Sequence, residues 1–413
     1  MSPEFQLLLL CARSRLSSQQ RDSLCELLKE KLDWDRLLGL TVYHGVTSFL
    51  LNHLSSVSRA GEFPLSEVLN RLHAGLFRDI QGQMFLTDEL LRIFRLFESQ
   101  KIPAIAFKGP ALSFFLYGDP TFRPSGDLDL LVRKETFPAA REVLHQMGYR
   151  SRYDELTPRR RRAALHCEWS DMLCRTVEKR GVIVDLHWDI LPVNFFLPLN
   201  SDDFWKRAQP IWIKGTRVFI HGTEDLFLTL CAHGGKDRWK RIWCLVDISE
   251  LIQNHPEIHW KRLMERAKIL GAQRILGLGL FLAHDLLDAD LPPWVLQKVR
   301  SDPEIPLVAK KMKKNLLGDE RGKALGSLRF RLSFYWKMKE RWRDKIRDML
   351  HHIFIFLTPT RKEWDRLPLP DAWFPLYYFF RPLRLAKKYA GKWRKKGTKK
   401  REAVPFSRTA SRK

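Results

Sequence analysis

Apolar residues recur three and four positions apart through the first hundred residues. Leu24, Leu27, Leu28 and Leu32, then Leu37, Leu38 and Leu40, follow this spacing, so helices are predicted from Glu4 to about Leu96. Gly45, Gly61 and Pro64 punctuate them. The pattern changes near Ile102. Pro103–Phe107 is a short apolar run suited to a strand, and Pro110 after Gly109 suits the first turn of a helix over 111–117 that ends at Gly118. Asp127–Val132 reads as a second strand, Glu135–Met147 as a helix stopped by Gly148, and Tyr149–Tyr153 as a further strand. Glu168–Arg175 and Val182–Ile190 flank Val177–Gly181 in the manner of an antiparallel hairpin. After Gly222 the helical period returns: Thr223, Glu224 and Asp225 mark a helix start through an N-cap hydroxyl and early carboxylates. It runs to about Leu287, and Leu291-Pro292-Pro293 breaks it.

These elements predict an α+β chain with a mixed α/β block between N-terminal and C-terminal helical regions. The expected divisions are a helical region over 1–98, an α/β core over 99–221, a helical domain over 222–320, a basic aromatic-rich helical region over 321–391, and a disordered basic tail over 392–413. Composition agrees with a folded chain, since 413 residues with 45% hydrophobic and 12% aromatic content can bury a sizeable core. Leu7–Leu10 is followed too soon by Arg13 and Arg15 for a leader, and Ile353–Leu357 falls far short of the ~20 residues that span a bilayer. The expectation is a cytoplasmic protein. Its six cysteines lack the grouping of a disulfide framework or a zinc site and read as reduced thiols.

The net charge of +25 changes the picture because it is concentrated. Residues 321–413 hold 27 Lys/Arg against 7 Asp/Glu, which leaves only +5 on residues 1–320. The C-terminal part therefore governs attraction to acidic partners. Trp373–Phe380 followed by Arg381, Arg384, Lys387 and Lys388 suits an anionic membrane surface and peripheral attachment there. Lys392–Arg401 equally suits nucleic-acid phosphates, and a packed last helix with a solvated end needs neither partner.

The candidate chemistry lies in the central block. Alternate strand residues share a face, so Asp127 and Asp129 point one way and Leu128 and Leu130 the other. Adjacent carboxylates repel, and a divalent cation (Mg²⁺ or Mn²⁺) bound to them and to substrate phosphates removes the conflict. Lys108 and Gly109 lie between a strand and a helix N-terminus, where backbone N–H groups favour phosphate. Arg123 and Ser125 stand just before the carboxylates and are expected to hold phosphate oxygens. Asp185, with His187 and Asp189 on its face of a later strand, is the expected third metal ligand and a candidate base for an acceptor hydroxyl; His187 is an accessory group.

Lys108-Gly109, the run Arg123–Val132, Gly148-Tyr149 and Val184–Trp188 resemble the uncharacterised bacterial nucleotidyltransferase family of the DNA-polymerase-β-like superfamily. His233–Trp239 and Leu245–Asp247 resemble its C-terminal helical part, and the likeness covers roughly residues 35–385. It implies a small mixed β-sheet nucleotidyltransferase core, flanked by N-terminal and C-terminal helical domains, that holds metals and an NTP such as ATP. Lys-Gly replaces the usual Gly-Ser or Gly-Gly after the first strand, as in nucleotidyltransferase toxins.

Around Gly234-Gly235, Lys236 and Arg238 are expected to reach the triphosphate and Trp239 to stack on a base, or else the group is a helix–helix turn with a buried Trp. Asp247 is read as structural, with a pairing to one of those two cations as the alternative. His351-His352 does not make a ligand pair, because adjacent helical residues point apart. The expected activity is metal-dependent transfer of a nucleotidyl group from an NTP to an acceptor hydroxyl or phosphate on a small molecule, sugar, peptide or RNA. The alternatives are a toxin-like or regulatory enzyme acting on RNA or protein, and a non-catalytic NTP-binding module.

Overall fold

The computed structural model describes residues 1–385 apart from 167, 178–179, 193–201, 318–327 and 360. The expectations for Cys167, for Lys387 and Lys388, and for the tail over 392–413 lie outside the described residues. The chain forms two compact units, one from Met1–Arg152 and Glu168–Ile346, the other from Tyr153–Cys167 and Arg347–Lys413.

The first unit opens with five helices: α1 (Pro3–Cys11), α2 (Ser18–Lys29), α3 (Trp34–His44), α4 (Thr47–Arg59) and the 34-residue α5 (Ser66–Ser99). Local chemistry sets their ends. Ser17 and Gln20 form a reciprocal capping box before α2, Asp33 caps α3, and Gly45 closes α3 in the left-handed region.

The α/β part follows as β1 (Ala104–Ala106), α6 (Gly109–Tyr117), β2 (Leu128–Val132), α7 (Phe137–Gln146), β3 (Arg150–Ser151), then α8 (Pro158–His166), which belongs to the second unit, and β4 (Ser170–Val177), β5 (Arg180–His187), α9 (Asp202–Lys206), β6 (Gln209–Ile213) and β7 (Thr216–Ile220). One mixed sheet has the order β1-β2-β5-β4-β3, and β6 and β7 form a separate hairpin. Among the described strands of this sheet, only β2 and β5 pair in parallel. Leu128, Leu130, Val184 and Leu186 pack with α5 and α7 in one apolar core. The pleat therefore turns Asp129, Asp185 and His187 to the opposite face.

After the sheet come α10 (Thr223–Asp237), α11 (Trp243–Asn254), α12 (Trp260–Leu270), α13 (Gln273–Leu287), α14 (Pro293–Ser301), α15 (Glu304–Leu317), α16 (Leu328–Met338) and α17 (Trp342–Leu357), whose residues from Arg347 onward belong to the second unit. Helices α10, α11 and α13 share a large core with α1, α3 and α4. In the second unit, α18 (Arg361–Arg366), a tight turn over Asp371–Leu376 and helical residues 377–385 surround Trp364, Phe374 and Tyr377.

The structure departs from the sequence reading at three places. The third strand is two residues long, Arg150–Ser151, and Tyr149 before it is buried and donates to Glu89 Oε1 at 2.9 Å. The cap of α10 is Gly222 with no side-chain bond; Asp225 instead accepts from Arg207 Nε at 2.6 Å and Arg266 Nη1 at 3.0 Å. The β6–β7 hairpin was unanticipated, yet Lys214 and Gly215 both have positive φ (46° and 75°), as a two-residue hairpin turn requires.

Candidate active site

Asp129 on β2 lies directly across from Asp185 on β5 in the parallel ladder. His187, two residues on, shares their face. Its Nε2 is 3.3 Å from Asp129 Oδ1 and 3.1 Å from Asp185 Oδ2. One ligand atom from each of these three residues lies within 4.8 Å of the other two, so the group could hold a metal ion. Asp127, just before β2, interacts electrostatically with Asp129, Asp185, Lys108 and His187 and belongs to the same cluster.

The charges are mutually adjusted. Burial and the Asp129 charge push Asp127 up to about 6. Burial also works to raise Asp129, but Lys108 and the bond and charge of His187 outweigh it and hold this carboxyl below its usual range. Asp185 is likewise buried and is held below its usual range by the charge and hydrogen bond of His187. Burial opposes a charged His187, yet Asp185 and Asp129 lift it to about 9.

Lys108 caps the N-terminus of α6 and brings Nζ within 2.8 Å of His233 Nδ1 on α10. Burial, then Lys108 and Lys236, push His233 well below the usual histidine range, so it is neutral and accepts from Lys108. Burial and Lys108 lower Lys236 as well; its Nζ lies 5.8 Å from the Trp169 ring centre.

Gly109 has φ +64°, and a Cβ there would stand 3.3 Å from the Asp127 carbonyl. This position therefore needs glycine to let the α6 N-terminus approach the carboxylate loop. Ser125 Oγ donates to the same carbonyl at 2.8 Å, and Gln83 Nε2 donates to the Ser125 carbonyl at 2.8 Å.

The chain from Lys108 to Lys236 lies within the match to a family model. Residues 30–288, more than half of the chain, match the model described as "Uncharacterised nucleotidyltransferase". The chain belongs to the uncharacterised nucleotidyltransferase family. No curated protein matches it. Among solved structures it is similar to an antigenic nucleotidyltransferase-like protein from Paracoccidioides brasiliensis. The two are 13% identical, with 55% of this chain and 92% of that one covered and a TM-score of 0.33. The assignment rests on the family model.

In this family member the phosphate roles expected of Arg123 and Arg238 meet a different placement, and of the two readings for Trp239 the buried one fits. Arg123 is buried; its Nε donates to Asp247 Oδ1 and Oδ2 at 2.9 and 3.0 Å, and its guanidinium lies 4.2 Å from the Trp243 ring centre. It anchors the loop before β2 to α11, and Asp247 pairs with Arg123 rather than with Lys236 or Arg238. Arg238, with φ 58°, terminates α10 and donates to the Tyr335 hydroxyl at 3.0 Å. Trp239 is fully buried against Gly234 and Phe334, where it has no face for a base. His187 stands between the two carboxylates, whereas His233 meets Lys108. The legible signal for His187 was its period-two spacing from Asp185; for His233 it was only the family likeness of the run His233–Trp239, because no local spacing tells that α10 reaches Lys108.

Proposed function

We propose that this chain is a metal-dependent nucleotidyltransferase of the DNA-polymerase-β-like kind, moving a nucleotidyl group from an NTP to an acceptor hydroxyl or phosphate. The observation that carries the reading is the Asp129–Asp185 register with Lys108 at the neighbouring helix N-terminus. The donor set fits a divalent cation. Asp185 Oδ1 is buried with no hydrogen-bond partner among the described residues, and carboxylate oxygens suit Mg²⁺ or Mn²⁺ while an imidazole favours the latter.

Asp129 and Asp185 would hold the metal, with Asp127 beside them and His187 as a further donor. Bound there, the cation would supply positive charge to the phosphoryl oxygens and acidify the acceptor hydroxyl. The remaining work falls to the chain's own groups. Lys108 and Lys236 place ammonium charge beside the carboxylates and neutralise phosphate oxygens of the NTP. Gly109 and the first amides of α6 offer N–H donors to the same oxygens. Asp185 accepts the acceptor proton. Ser125, Arg123 and Arg238 act by position, holding the loop before β2 and the end of α10 in place.

Incubation of the purified protein with labelled NTPs, Mg²⁺ or Mn²⁺, and cell extract is expected to move label into one acceptor class: RNA, protein, lipid or sugar. Asp129→Asn and Asp185→Asn should each lower transfer about a hundredfold or more while circular dichroism stays unchanged. Full activity in either variant would overturn the metal assignment. Failure of the wild-type protein to bind Mg-NTP by calorimetry would overturn both this reading and that of a non-catalytic NTP-binding module.

A further inference from the structure

We propose that His233 is a positioning residue for phosphate binding: its imidazole holds the Lys108 ammonium in place without cancelling the charge that meets the NTP. The inference rests on the nucleotidyltransferase function proposed for this chain, and names what keeps one of its phosphate-binding groups charged. Lys108 Nζ lies 2.8 Å from His233 Nδ1. An ammonium only donates, so Nδ1 accepts and the ring proton sits on Nε2. A carboxylate in this place would hold the lysine but neutralise it, and an apolar side chain would leave the ammonium without this partner. The same unit contains that alternative. Arg123 ends on Asp247 and Arg207 on Asp225, and in each pair the charge is spent on the scaffold. Lys108, by contrast, acts on Asp129 through charge alone, whereas His187 bonds that carboxylate as well.

The cost of a histidine here points the same way. His233 is 4% exposed, and its Nε2 is buried with no hydrogen-bond partner among the described residues. A buried N–H left unbonded destabilises the fold, and an apolar side chain of similar size carries no such cost. The bond to Lys108 is the polar contact that offsets it. Packing fixes the ring in this pose. Its centre lies 5.6 Å from that of Phe107, which in turn meets His187 edge-on at 5.0 Å. Phe107 and Lys108 are consecutive, so one short stretch after β1 brings both an aromatic face and an ammonium to the same imidazole. Lys236 stands three residues beyond His233 on α10 and so shares its face, and it too interacts with Lys108, Asp129 and Asp185. One helix face thus supplies a second ammonium and the group that aims the first.

The test is calorimetric titration of the full chain with two probes, Mg-ATP and inorganic tripolyphosphate. His233→Leu is expected to weaken both by about tenfold to a hundredfold, as does loss of a group that orients a ligand-binding partner. Lys108→Met should do the same. The double variant should lose no more than Lys108→Met alone, because the imidazole acts through that ammonium. His233→Asn, whose amide oxygen can accept from Lys108, should recover most of the affinity. His233→Asp accepts too but cancels the charge, so it should bind as weakly as the leucine variant. A packing role would produce neither the recovery nor the shared loss. Equal affinity of the wild-type and His233→Leu proteins would overturn the inference. So would additive losses in the double variant, no recovery with asparagine, or wild-type affinity with aspartate. Absence of binding by the wild-type protein would overturn the nucleotidyltransferase reading and this inference with it, whereas the other outcomes bear on the inference alone.

Discussion

Asp129 is held below the usual carboxylate range in a buried position because Lys108 and His187 stand beside it, and their attraction exceeds the loss of hydration. The two-residue spacing of Asp127 and Asp129 made a shared face legible in the sequence, since the strand period is fixed by backbone geometry. Their partners were legible only in part. His187 falls on the right face of its own strand, but its position between Asp129 and Asp185 needs the β2–β5 register. A different histidine shows the same competition without a partner charge. His221 is fully buried, stacks on Phe107, and is pushed by desolvation from 6.5 down to about 3. As pH falls below 6.5 the unfolded chain takes up a proton that the folded chain refuses, so stability is present above that pH and declines towards 3. Urea unfolding should show an acid-side loss of about 1.4 kcal/mol per pH unit from this group, absent in His221→Asn. Identical slopes in the two proteins would contradict that account.

At the scale of elements, the Gly turns and caps did most of the specifying. Gly109 and Gly118 bound α6 as the Pro and Gly positions in the sequence indicate, and both have positive φ. The end of α10 was more ambiguous, because Gly234-Gly235 fits either a ligand loop or close packing. The structure resolves it as packing. A Cβ at Gly234 would lie 2.5 Å from Trp239 Nε1 and 2.8 Å from Cε2, both in a ring that is fully buried. Gly234→Ala is therefore expected to destabilise by about 1–3 kcal/mol through overpacking, measured by chemical denaturation. Because His233 precedes it, the variant should also weaken nucleotide binding; unchanged stability would mean that the indole has room to move. The β6–β7 hairpin could have been found from Lys214-Gly215 between alternating apolar residues, whereas α8, with four consecutive arginines, carries little apolar period to read.

For the whole molecule, the decisive contact joins residues 124 positions apart. Arg123 and Asp247 are both buried, and their ion pair fixes the loop carrying Asp127 to the helical part of the same unit. Removing one partner leaves an uncompensated buried charge, so Asp247→Asn is expected to cost about 3–5 kcal/mol of stability in urea unfolding. A loss under about 1 kcal/mol, within the range of surface changes, would show that the pair is not structural. The sequence by itself determined the order of elements, the helical character of both flanks, the carboxylate spacing and the concentration of positive charge, because each follows from local period or composition. Only the tertiary structure decided which cations face those carboxylates. It took Arg123, Arg238 and Trp239 into the scaffold and brought Lys108 to His233. Burial and charge pairing act between distant segments, and local spacing carries no record of which segments will meet.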